Sequence, residues 1–201
     1  MVEIICWSLF GYLLGSIPFS LIIGRLIARK DIRKFGDGNP GGSNALKAGG
    51  FKTGVPSILL DIFKGTLPVL LAHHNGISEW GLVPVALSPV LGHGFSVFLR
   101  FRGGKALGAT GGVWLGLIGL WAFPAYGTLA IPFSLVQSED GWSACAGMVS
   151  LLGFALFYGE PWMVSLAALN AAVIFWLHRR ELRRRPQLRQ WVTTMISRRD
   201  A

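Results

Sequence analysis

Charge is in short supply in this sequence. Of its 201 residues only 14% are Asp, Glu, Lys or Arg, while 52% are hydrophobic, and the mean hydropathy is +0.51. Soluble domains carry about 25% charged residues, so an ordinary soluble domain is excluded, and so apolar a chain is not a disordered one. Cysteine is nearly absent: Cys6 and Cys145 both lie in apolar stretches, which rules out a disulfide scaffold and leaves them as small hydrophobes. No basic residue precedes the first apolar run, Ile4 to Ile27, whereas Arg25, Arg29 and Lys30 close it, the wrong polarity for a cleaved signal peptide. No nucleic-acid-binding motif accompanies the basic residues, so no nucleic-acid partner is expected. No internal repeat or linker divides residues 1–201, which read as a single membrane-embedded domain ending in a basic interfacial tail, 181–201.

What is present is a series of apolar runs near the length that spans a bilayer. The first carries Gly11, Gly15, Ser16 and Pro18, small residues that let helices approach closely. A second run covers Gly54 to Ala72 and a third Leu82 to Leu99, where Pro84 and Pro89 predict bends. Ala106 to Val136 is broken at Phe123-Pro124, and Ser143 to Leu177 at Gly159-Glu160-Pro161. Each could be one span or two.

Charge placement arbitrates. Of 19 Lys and Arg, seven lie between Arg25 and Lys52, three between Arg100 and Lys105, and eight between Arg179 and Arg199, with Lys64 alone elsewhere. Short cytoplasmic loops retain Lys and Arg, which assigns these blocks to the cytoplasmic face. Crossings between Lys105 and His178 are then even in number, allowing five spans or seven. The turn signals, and the cost of Glu160 at mid-bilayer, favour seven, with the N-terminus outside and the C-terminus cytoplasmic. The expected fold is an all-α, polytopic helical bundle in a membrane, its loops of interest on the cytoplasmic face.

Two loops could do chemistry. Gly36-Asp-Gly-Asn-Pro-Gly-Gly-Ser-Asn44 offers a backbone free to aim successive N–H groups into one anion-binding concavity, with Arg33, Lys34 and Lys47 beside it and a helix start expected at Ser43. A flexible, positive-inside connector would also account for it. The second loop, Arg100-Phe-Arg-Gly-Gly-Lys105, resembles a phosphate loop but is no Walker A motif, since Ala106 stands where the Mg-binding hydroxyl belongs, and nucleotide hydrolysis is disfavoured. Arg100, Arg102 and Lys105 also suit simple snorkelling to the interface. His93, seven residues before Arg100, would lie about 10 Å deeper if the helix ran on. Asp61 and Lys64, three apart in an apolar span, share a helix face and can pair, as substrate ligands or as a structural ion pair. His178 closes the last run, and the arginine-rich tail with Trp191, Val192, Met195 and Ile196 reads as a helix lying on anionic membrane lipid.

Gly15-Ser-Ile-Pro-Phe-Ser20, Asp31-Ile-Arg33, Gly36-Asp-Gly-Asn39, Ser43-Asn44, Leu60-Asp61-Ile-Phe-Lys64-Gly65 and Gly92-His-Gly-Phe-Ser-Val-Phe-Leu99 through Phe101-Arg-Gly-Gly-Lys105 together resemble the acyl-phosphate:glycerol-3-phosphate acyltransferases (PlsY). The resemblance runs from about Gly11 to Lys105 and resumes at His178. It implies transfer of a fatty acyl group from acyl phosphate to the 1-hydroxyl of sn-glycerol 3-phosphate, giving lysophosphatidate, with no cofactor and no metal. It also implies substrate-binding roles for Arg33, Asn39, Ser43, Asn44, Asp61, Lys64, His93, Arg102, Gly103, Gly104 and Lys105, with Asp37, His178 and Glu181 around the reacting atoms.

The chain departs from that family's pattern in three places. Asp37 stands where the family has serine, with Pro40 for isoleucine; Ala106 replaces a glycine and the threonine moves to Thr110. Glu181 replaces asparagine, ahead of Arg183-Arg-Arg-Pro-Gln187. Asp37 suits either a base for the glycerol hydroxyl or a brace for its loop. Two other functions stay open on these residues. One is a paralogue with another phosphorylated acceptor or without turnover; the other is a transporter of a small phosphorylated metabolite.

Overall fold

In the computed structural model residues 1–199 are described; Asp200 and Ala201, the end of the expected basic tail, lie outside the described residues, as do the side chains of Ile196, Ser197, Arg198 and Arg199. Ten α-helices account for most of the chain: α1 (Val2–Ser16), α2 (Phe19–Leu26), α3 (Gly42–Gly49), α4 (Phe51–His74), α5 (Leu82–Gly94), α6 (Leu107–Ile118), α7 (Ala122–Val136), α8 (Asp140–Tyr158), α9 (Pro161–Leu182) and α10 (Gln190–Arg199). No strand occurs among the described residues, only an isolated antiparallel bridge between Gln137 and Leu188.

Six helical stretches are long and apolar enough to cross a membrane: Val2–Leu26, Phe51–His74, Glu79–Leu99, Leu107–Val136, Asp140–Tyr158 and Pro161–Leu182. Their outward faces carry large apolar side chains such as Leu59, Phe63, Leu70, Phe157 and Trp176, as expected where lipid is the solvent. Inward, small residues bring backbones together. A Cβ on Gly15 would collide with the backbone of Pro89, and one on Gly92 with that of Tyr12, so α1 and α5 pack nearly backbone to backbone; Gly65 and Gly112 do the same for α4 and α6. Trp114, Met148, Leu151, Leu166 and Ile174 fill the space between α6, α8 and α9. Within that core Asn170 accepts from Trp114 Nε1 at 3.1 Å and donates to Thr110 Oγ1 at 3.2 Å.

The first span is interrupted at Ile17-Pro18, between α1 and α2. Proline supplies no N–H and ends the ladder, which frees carbonyls that hydrocarbon cannot satisfy. Ser96 Oγ donates to the Ser16 carbonyl at 2.6 Å and Lys64 Nζ to the Ile17 carbonyl at 3.1 Å. The break therefore ties the first span to α4 and to the turn after α5.

The fourth stretch breaks earlier than the Phe123-Pro124 signal predicts. Gly119 adopts φ +61°, a left-handed conformation that costs glycine little, and the helix stops there. Pro124 sits in the first turn of α7, where a missing N–H costs nothing. The two arms have 12 and 15 residues. Both ends of this stretch face α9. Lys105, just before α6, pairs with Glu181, and the end of α7 meets the segment after α9: Arg189 N donates to the Val136 carbonyl at 2.9 Å and Ser138 N to that of Gln187 at 3.0 Å.

Candidate active site

Three segments far apart in sequence meet at one end of the bundle. The first is the loop between α2 and α3. Gly36 and Gly38 take φ +57° and +77°, which folds the loop back on itself. Asp37 Oδ1 accepts from Asn39 N at 3.2 Å and from Asn44 Nδ2 at 2.8 Å; the same amide donates to the Asn39 carbonyl at 2.8 Å. The helix expected at Ser43 begins one residue earlier, at Gly42, with Gly41 as its cap. Ser43 is exposed on its first turn, and Asn44 is buried. Lys47 Nζ lies beside Gly36.

The second segment follows α5. The helix does not continue past Gly94, so His93 is not buried a further 10 Å below the basic cluster. Instead the chain turns through Val97–Leu99, with Arg100 and Phe101 left-handed, and returns. Gly103 N donates to the Gly94 carbonyl at 3.1 Å and Gly104 N to the His93 carbonyl at 2.9 Å. The two glycines thus spend their N–H groups on the end of α5. Their missing side chains matter for close approach: a Cβ on Gly103 would strike the His93 backbone, and one on Gly104 the His93 ring.

The third segment is the end of α9. His178 is fully buried, and its Nδ1 lies 2.9 Å from the Ile174 carbonyl. A carbonyl only accepts, so Nδ1 carries the proton and Nε2 keeps a lone pair. Glu181, three residues on, lies on the same face.

Lys105 joins all three. Its ammonium is 2.5 Å from Asp37 Oδ2 and also pairs with Glu181 Oε1. Glu181 Oε2 and Asn39 Oδ1 are buried without a hydrogen-bond partner. Burial works against ionising Asp37, yet the Lys105 ammonium, with the Asn39 and Asn44 donors, outweighs it and holds the carboxyl down at about 2. Burial likewise disfavours the Lys105 cation, and the Asp37 and Glu181 carboxylates more than restore it, raising its pKa above the ordinary value.

Beneath this surface lies a second polar cluster. Asp61 and Lys64 pair at 2.9 Å, both almost fully buried. Ser20 Oγ donates to Asp61 Oδ2 at 3.0 Å, and His93 Nδ1 stands 3.6 Å from Asp61 Oδ1, too far for a hydrogen bond. A small cavity lined by Asp61, Lys64, His93, Ser96, Pro40 and Gly104 separates the cluster from the loops above.

Asn39, Asn44, Gly103, Gly104, Lys105, His178, Glu181 and Asp37 therefore converge, and Asp61, Lys64 and His93 support them from within the bundle. Arg33 points elsewhere: its guanidinium forks onto Asp31 at 2.6 to 3.3 Å, and that partner holds the Asp31 carboxyl at about 2. Arg102 is exposed, away from the ion pairs. Thr110 belongs to the Asn170 network and not to the loop. The sequence motifs contain Ser20 and Ser96 but single out no role for either, and Asn170 is outside them; the signal for Asn170 was a lone amide in a long apolar run.

The model of the family described as glycerol-3-phosphate acyltransferase matches residues 5–187. A glycerol-3-phosphate acyltransferase of Thermus thermophilus is 40% identical over 183 residues, covering 89% of each chain. One of Maridesulfovibrio salexigens is 38% identical over 184 residues, covering 90% of this chain and 92% of its own. Among solved structures, the glycerol 3-phosphate form of PlsY, an integral membrane glycerol 3-phosphate acyltransferase, aligns with a TM-score of 0.83 at 29% identity, over 96% of this chain and 98% of that one. Its lysophosphatidic acid form gives 0.81 at 31% identity, over 90% of each chain. A match that runs from the first span through the end of α9, and so takes in every segment that meets at Lys105, makes this chain a member of the glycerol-3-phosphate acyltransferase family.

Proposed function

We propose that this protein transfers a fatty acyl group from acyl phosphate to the 1-hydroxyl of sn-glycerol 3-phosphate, releasing lysophosphatidate and phosphate. The reaction feeds phospholipid synthesis and takes place at the cytoplasmic face of a bacterial inner membrane. The observation that carries the reading is the meeting of the Gly36–Asn44 loop, Lys105 and the His178–Glu181 face at one end of an apolar bundle.

Acyl phosphate is a mixed anhydride, so the enzyme needs no covalent nucleophile; it has to hold phosphate and set one hydroxyl against the acyl carbon. Lys105 holds the glycerol 3-phosphate phosphate, with the Asn39 side-chain amide as a further donor, while Asn44 spends both of its amide hydrogens holding the loop. His178 Nε2, with its lone pair free, takes the hydroxyl proton as the glycerol oxygen bonds to the acyl carbon. The bond from that carbon to the phosphate oxygen breaks, and the departing phosphate accepts the proton from His178. Glu181 Oε2, buried and unpartnered, accepts from the 2-hydroxyl of the glycerol and leaves the 1-hydroxyl proton to His178. Asp37 braces its loop, since one of its oxygens serves Asn39 and Asn44 and the other Lys105. Asp61 and Lys64 keep the floor of the site rigid.

Seven crossings, with the N-terminus outside, belong to the same proposal. Support comes from the meeting of both ends of Leu107–Val136 with the end of α9, as expected of a hairpin that crosses twice. Neither arm is long: at about 1.5 Å per residue they reach roughly 18 and 22 Å, so the bilayer must thin or the arms be extended by their turns.

The test is acyl transfer by purified protein in detergent, with palmitoyl phosphate or palmitoyl-CoA as donor and labelled sn-glycerol 3-phosphate as acceptor. Lysophosphatidate from palmitoyl phosphate is expected, and His178→Ala should lower kcat by about a hundredfold or more. Product only from palmitoyl-CoA would overturn the donor, and no product from folded protein would overturn the activity.

A further inference from the structure

Asp37, on the loop before α3, and Glu181, at the end of α9, contact the same atom. Both place a carboxylate oxygen on Lys105 Nζ. Two anions against one cation leave the trio with a net negative charge, in the place where a phosphate must be received. Nearby, His178 lies one turn before Glu181 and is engaged through Nδ1, and Lys47 Nζ sits beside Gly36 without pairing with Asp37. No second ammonium reaches the pair among the described residues.

We infer that Asp37 and Glu181 occupy Lys105 as internal competitors of the substrate phosphate, so that glycerol 3-phosphate binds by displacing the Asp37 carboxylate while Glu181 keeps its hold. A carboxylate presents to an ammonium the same anionic oxygen that a phosphate does. Asp37 is the one that yields. Its side chain is 43% exposed and stands on a loop, whereas that of Glu181 is 18% exposed, on a helix, with Gly141 packed against it. Release also leaves Asp37 something to hold, because its other oxygen remains bonded to Asn39 N and Asn44 Nδ2. Asp37 is therefore a positioning residue that acts on the substrate through Lys105, and its charge sets how tightly the acceptor is held.

The inference rests on Lys105 holding the substrate phosphate, and inorganic phosphate separates the two claims without any acyl donor. Phosphate binding is measured by calorimetry on detergent-solubilised protein, for wild type, Lys105→Ala, Asp37→Asn and Asp37→Ser, and the KM for glycerol 3-phosphate is measured alongside. Asparagine keeps the oxygen that braces the loop and removes the charge; serine provides a second variant should the first not fold. Phosphate should bind wild type weakly, bind either Asp37 variant at least about fivefold more tightly, and fail to bind Lys105→Ala. The KM for glycerol 3-phosphate should fall in step with the phosphate Kd in the Asp37 variants, with no matching rise in kcat. The same tightening must vanish when Asp37→Asn is combined with Lys105→Ala. Phosphate that binds through Lys105 with unchanged or weaker affinity in both Asp37 variants overturns the competition and leaves the phosphate site standing. Phosphate that binds wild type and Lys105→Ala alike overturns both.

Discussion

The imidazole of His93 fills the space that a Cβ on Gly104 would need, while the Gly104 N–H donates to the His93 carbonyl at 2.9 Å. The turn that presents Lys105 is thus pressed against the end of α5 on both its side-chain and its backbone edges. Asn39 Oδ1 closes the same space from the other loop, 3.1 Å from that Cβ position.

Gly103→Ala should therefore be more damaging than its small size suggests. The new methyl meets main-chain atoms of His93 and Gly94, which cannot turn aside as a side-chain tip can. A loss of about 1–3 kcal/mol is expected from overpacking, with acyl transfer reduced at least about tenfold because Lys105 is moved off its partners. Thermal unfolding in detergent and a turnover assay on the same preparation check both parts.

Lys105→Ala should raise the KM for glycerol 3-phosphate more than it lowers kcat. An ammonium that grips phosphate in the ground state and the transition state alike contributes mainly to substrate affinity. Steady-state kinetics with varied acceptor decide the matter, and an unchanged KM would remove Lys105 from the phosphate site.

The Asp61–Lys64 pair predicts a stability pattern in three variants. Both side chains are almost fully buried, so either Asp61→Leu or Lys64→Met strands the other charge and should cost about 3–5 kcal/mol, while the double substitution recovers most of the loss. Equal losses in single and double variants, read from unfolding in detergent, would show that the two do not act as a unit.

Acid should reveal Asp37. Its carboxyl, held down at about 2 against 3.8 ordinarily, contributes stability above the ordinary value that is lost as pH falls through about 2. Asp31 loses its own contribution in the same window. The drop in thermal midpoint from about pH 4 to about pH 2 should therefore shrink, without disappearing, in Asp37→Asn.

Much of this architecture was legible because apolar length and small-residue content are written into each span. The turn at Gly159-Glu160-Pro161 falls between α8 and α9 as read. The break between α6 and α7 was misplaced because a proline looks like a stop in a sequence, but in the first turn of a helix it is not one, whereas one among several glycines took the left-handed conformation. At the site, the basic and glycine-rich loops were visible and their partners were not. Nothing in the spacing of Asp37, Lys105 and Glu181 says that they meet, since that depends on how three helices end at one level. Arg33 looked like a phosphate ligand until its near neighbour Asp31 took both faces of its fork.

The position of His178 and Glu181 on α9 has a consequence for how the enzyme is made. The Gly36–Asn44 loop and Lys105 leave the ribosome early, and His178 and Glu181 arrive only with the last long helix. Until α9 is inserted, Lys105 has the Asp37 carboxylate and lacks Glu181. Chains halted before α9 therefore hold two of the three segments that meet at Lys105, and assembly of the last long helix completes the cluster.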